Sequence, residues 1–104
     1  MTFDELLALM KDTGIPFAAA GWAKPPKGDY GTVSYRAFEP LFADDQLVSI
    51  QSEAVIVLQS RDNGEDSAAK IQQKLRLAPI TWWLEAVEYD EATGLTVWQW
   101  AAML

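Results

Sequence analysis

The stretch TWWLEAVEYD, residues 81–90, runs directly into EATGLTVWQW, residues 91–100, and its reading decides the fold. Asp90 to Gly94 reads as the turn of a hairpin, with Gly94 in the left-handed conformation that glycine alone enters cheaply. A four-residue loop sets Asp90 opposite Leu95, and therefore Val87 opposite Trp98 and Glu85 opposite Trp100. Successive side chains of a strand point to opposite faces. Trp83, Val87, Tyr89, Trp98, Trp100 and Ala102 are therefore expected on one face of the hairpin, and Trp82, Leu84, Ala86, Val97, Ala101 and Met103 on the other. A shift of one residue would reshuffle the two sets, yet both faces would remain rich in apolar groups.

Upstream, Thr2 followed by Glu5 is a capping-box pattern. Phe3, Leu6, Leu7 and Met10 recur at helical spacing and Gly14 supplies a stop, which predicts a first helix over about residues 3–12. Ile15 to Trp22 reads as an edge strand or an extended lead-in, with Pro16 near its start. AKPPKGDYG, residues 23–31, is a stiff, exposed break. Thr32 to Phe38 alternates as a half-buried strand, Val33, Tyr35 and Ala37 on one side and Ser34 and Arg36 on the other. EPLFADDQ reads as a loop. Leu47 to Gln59 reads as one long central strand with Val48, Ile50, Ala54, Ile56 and Leu58 on its apolar face, its first half projecting beyond the sheet. Asp62 or Asn63 is a candidate N-cap for a second helix, whose buried stripe is Ala68, Ile71, Leu75 and Ala78 and which Pro79 ends.

Two helices cover one face of such a sheet. The aliphatic set of the hairpin is their natural partner, which leaves the aromatic set as a patch larger than monomers usually expose. Tryptophan and tyrosine are frequent interface anchors, so Trp83, Val87, Tyr89, Trp98 and Trp100 form a candidate subunit interface. The competing reading is a sheet curled over itself with the early loops on its aromatic face, since large aromatics are commonly core.

Composition narrows the function. The chain of 104 residues fits a single domain, 1–104. It has neither cysteine nor histidine, which removes Ser-His-Asp and Cys-His catalysis and zinc sites built on thiolate or imidazole. A net charge of −7 argues against a phosphate-backbone reader. No apolar run has the length of a membrane span, and no secretory signal is visible at the N-terminus. Asp44-Asp45 and the acids between Asp62 and Asp66 lack the oxygen-ligand spacing of a cation loop. Glu85 and Glu88 are expected on opposite faces and so not as an acid–base pair. No catalytic, cofactor or metal site is expected, and the chain reads as a non-enzyme.

The order helix, strand, strand, long strand, helix, hairpin, with the segments MTFDELLALMKDTGIPFA, GWAKPP, LFADD and WWLEAVEYDEATGL, resembles tail-terminator or tail-completion proteins of siphophages and prophages. The resemblance covers nearly the whole chain and rests on element order and short phrases rather than on a catalytic signature. It implies an α+β fold with a mostly antiparallel sheet of four to five strands packed on two helices. It also implies a virion structural protein of the neck, assembled in the host cytoplasm into a ring, expected to be a hexamer. Its implied partners are the major tail tube protein and the head–tail connector or stopper, with DNA passing through the lumen without sequence-specific binding. Two other readings stay open: another neck ring protein, such as a head-completion or stopper protein, and a small dimeric α+β domain that binds a ligand in its aromatic cluster.

Overall fold

The computed structural model describes residues 1–36, 41–43, 46–49 and 53–104. Helix α1 spans Phe3–Lys11 and opens on the expected capping box: the Glu5 amide donates to Thr2 Oγ1 and the Thr2 amide to Glu5 Oε1, each at 3.1 Å. Leu6 and Met10 form its buried stripe. Helix α2 spans Glu65–Leu77 and buries Ala68, Ile71 and Leu75. Its N-cap is neither Asp62 nor Asn63 but Gly64, in the left-handed conformation at φ 71°. The two polar residues act one step earlier. Asp62 Oδ1 accepts from the Gly64 amide at 3.0 Å, and Asn63 Oδ1 from the Glu65 amide at 2.9 Å. Buried Ser60 fixes this arrangement by donating to Asp62 Oδ1 at 2.9 Å. Ala78, expected in the buried stripe, is already extended and half-buried at the C-cap.

The strands are β1 (Phe17–Ala19), β2 (Tyr30–Tyr35), β3 (Leu41–Ala43), β4 (Gln46–Ser49), β5 (Glu53–Ser60), β6 (Trp82–Asp90) and β7 (Leu95–Met103). Five of them form one sheet in the order β1-β2-β5-β7-β6. β1 is parallel to β2 and every other pairing is antiparallel. The fold is thus α+β, with two helices and an open, mostly antiparallel mixed sheet. The single long strand expected over Leu47–Gln59 is two strands in different sheets. β5 is central in the main sheet, while β4 pairs, among the described residues, with β3 alone, in the stretch expected to be a loop. Phe38 and Ala37, expected at the end of the second strand, and Ile50 lie outside the described residues.

Both helices lie on one face of the main sheet. Val33, Ala54, Ile56, Leu58, Trp100 and Ala102 meet Leu6, Met10, Ala68, Ile71 and Leu75 in one core. At the β1 side, Phe17 fills the space over Gly31, its cross-strand partner. On β5 burial alternates without a break, Ala54, Ile56 and Leu58 buried and Val55 and Val57 half-buried on the opposite face.

The hairpin departs from the expected arrangement at one residue. Asp90 pairs with Leu95 and Val87 with Trp98, as the loop length requires. Beyond that the register shifts: Ala86 pairs with Gln99 and Leu84 with Trp100, so Glu85 is an extra residue, a β-bulge. The bulge exchanges the faces of the residues before it. Trp82 and Leu84 join Val87, Tyr89, Trp98 and Trp100 on the helix side, and Trp83 moves to the other face with Ala101. The physical reason is the carboxylate. In an unbroken ladder Glu85 would stand opposite Trp100, which is fully buried, and a charged group on that apolar face is costly without a partner. The bulge turns Glu85 to the helix-free face, where Arg36 pairs with it.

The helix side is consequently not aliphatic at its β7 end. Trp100 is wholly buried and Trp98 stacks on it with ring centroids 5.9 Å apart. Trp98 Nε1 donates to the Asn63 carbonyl at 2.8 Å, tying the hairpin to the start of α2.

Candidate subunit interface

β6 is an edge strand nine residues long, and one side of its backbone has no partner strand among the described residues. Its apolar side chains are exposed as well. On the helix side, beyond the reach of both helices, stand Leu84, Val87 and Tyr89, the last 64% exposed. Trp83 is exposed on the other face. A long edge with exposed apolar groups is a template for pairing with another chain.

Of the five residues expected at an interface, the structure brings Val87, Tyr89 and Trp83 to the surface of β6, with Trp83 on the opposite face from the other two. Trp100 lies in the core instead, and half-buried Trp98 packs against it. Sequence patterning missed Leu84, which it placed under the helices. The signal that could have found it is Glu85, the only charged residue between Trp82 and Val87, since a lone carboxylate at that place demands either a partner or a bulge.

The helix-free face carries a charge cluster. Arg36 bridges Glu53 at 2.9 Å and also binds Glu85, and Gln99 Nε2 donates to Glu85 Oε2 at 3.3 Å. The arginine reaches over β7, joining β5 to the bulge of β6 and holding the bulge in place. The hydrogen bond to the Glu85 carboxylate raises the pKa of the guanidinium. Glu88, paired with Val97, lies on this same face, which corrects the expectation that Glu85 and Glu88 point apart.

The other end of this face holds a cleft of about 420 Å³ lined by Ala20, Trp22, Pro25, Tyr30, Ser34 and Gln59 among others. Its outer wall is pinned by Trp22, whose Nε1 donates to the Gly31 carbonyl at 2.9 Å and whose ring meets Tyr30 edge-on. Ala20 turns the chain into that wall with φ 66°, the Gly21 amide donating to the Ala19 carbonyl at 2.7 Å. Among the described residues no charged side chain lines the cleft.

Elsewhere the ionic contacts are structural. Lys74 of α2 donates to Asp12 at 2.8 Å, tying the C-terminus of α1 to α2 and lowering the Asp12 pKa. Hydrogen bonds from the Gly64 amide and the Ser60 hydroxyl lower that of Asp62. Among the described residues no group of three or more acids is assembled as a cation would require, and no helix is long and apolar enough to cross a membrane. No protein-family model matches the chain, and no curated protein compared with it is similar.

Proposed function

We propose that this chain is a virion structural protein of a long-tailed phage, a tail terminator whose copies form a ring, expected to be a hexamer, that caps the tail tube and meets the head connector. The observation that carries the reading is the open, apolar edge of β6. It needs covering, and a ring of copies covers it on every subunit. The sequence resemblance supplies the identity of the ring, and the excess of 15 acidic over 8 basic residues suits a bore through which DNA passes without adhering.

The test is solution mass by light scattering, with the protein alone and with tail tubes, for wild type, Val87→Glu and Tyr89→Glu. Both substitutions change exposed side chains and leave the core intact. Rings, or ring formation at tube ends, that these variants abolish without unfolding would support the terminator. A wild type that stays monomeric and never joins tubes would overturn it. Binding to connectors but not to tubes would favour a stopper. The cleft beside Trp22 and Tyr30 favours a second reading, a ligand-binding domain; saturable small-molecule binding by a two-fold dimer would establish that one instead.

A further inference from the structure

Resting on the ring reading above, we infer that neighbouring copies join head to tail through their sheet edges, β6 of one subunit pairing antiparallel with β1 of the next, so that one sheet continues around the ring. Three properties of the two edges lead there.

Strand direction comes first. β1 runs with β2, and three successive antiparallel pairings separate β2 from β6. β6 therefore runs opposite to β1, and a second copy set edge to edge in the same orientation presents β1 antiparallel to β6.

Level and side-chain size come second. Followed across the ladder, Ala18 stands level with Thr32, Val57, Gln99 and finally Ala86. Without any slip along the strands, β1 of the neighbour thus meets the stretch of β6 that exposes Leu84 and Val87. Beyond Phe17, β1 offers only Ala18 and Ala19, and Ala20 follows. Small residues on one edge leave room for the large side chains of the other.

Charge comes third, and it decides against the obvious alternative. β6 carries Glu85, Glu88 and Asp90 and no basic residue, with Glu91 just beyond. Pairing β6 with its own copy across a two-fold axis would bring two acidic edges together with no basic residue on either strand. At the opposite edge, exposed Lys27 stands three residues before Tyr30, and Tyr30 is level with Glu88 through Gln59 and Val97. Head-to-tail pairing brings Lys27 to the acidic end of the neighbour's β6.

The chain lacks cysteine, which makes cross-linking unambiguous. Ala18→Cys and Ala86→Cys placed in one chain should, on oxidation of the assembled protein, give a ladder of covalent multimers ending at the closed ring. Each single variant should stay monomeric on a non-reducing gel. Hydrogen exchange is the second measurement: amides of residues 17–19 and 82–90 should gain protection together on assembly. Covalent dimers of Ala86→Cys alone would show β6 meeting β6 and overturn the inference. Rings that assemble with neither the ladder nor the protection would also overturn it, while leaving the terminator reading intact. Failure to assemble at all, alone or on tail tubes, would overturn both.

Discussion

The ring of Phe17 occupies the space in which a side chain at Gly31 would begin: a Cβ there would lie 2.3 Å from Phe17 Cε1. The two residues are partners in the parallel β1–β2 ladder, and Phe17 is almost fully buried. Gly31→Ala should therefore destabilise the fold by about 2–3 kcal/mol, the upper range for overpacking a tight core. Phe17→Leu in the same chain should recover part of that loss. A double-mutant cycle by urea unfolding measures the coupling, and strict additivity would show that the ring yields freely.

Ala20 makes the opposite prediction. Its φ of 66° costs a residue with a Cβ about 1–2 kcal/mol, and the residue is exposed, so no packing opposes its replacement. Glycine loses about 0.4–1 kcal/mol through the greater freedom of the unfolded chain. Strain relief is the larger effect, and Ala20→Gly should raise stability by about 0.5–1 kcal/mol. The measurement is the urea midpoint at unchanged slope.

Removing a residue from the middle of a strand ordinarily turns everything beyond it to the wrong face. Glu85 is the exception, because the bulge has already skipped it: Leu84 pairs with Trp100 and Ala86 with Gln99. A chain lacking Glu85 should fold with the same pairings in an unbroken ladder. It should lose the ion pair with Arg36, at a cost of about 1 kcal/mol or less for a partly exposed pair, and the weak hydrogen bond from Gln99. The straightened edge should self-associate more readily than wild type. Circular dichroism and light scattering together check this, and an unfolded deletion variant would refute it.

Stability should fall in acid. Glu5, held by both the amide and the hydroxyl of Thr2, and Asp62, held by the Gly64 amide and the Ser60 hydroxyl, have folded pKa values below their unfolded ones. Groups depressed in this way stabilise fully above the unfolded value, near pH 4, and the contribution drains away as pH falls through the folded value. Asp12 beside Lys74 behaves alike. Asp62→Asn keeps an acceptor for the Gly64 amide but cannot titrate, so its urea midpoint should decline less steeply between about pH 5 and pH 2. A slope equal to that of wild type would remove Asp62 from the acid transition.

Most of the local structure was legible in the residues alone. The capping box of Thr2 and Glu5, the stripe of Ala68, Ile71 and Leu75, the alternation along Ala54 to Leu58 and the pairing of Asp90 with Leu95 all follow from spacing and turn chemistry. These are properties of neighbours in the chain, fixed by backbone geometry at short range. Only the tertiary structure decided which face of the hairpin the helices cover. That choice turns on Glu85, whose carboxylate avoids the buried side of Trp100 and meets Arg36, a residue 49 positions away in the chain. The bulge this requires leaves Trp100 in the core with half-buried Trp98 packed on it, and Leu84, Val87 and Tyr89 at the edge. Alternation supplies two sets of side chains, but a charge and its distant partner determine which set is buried.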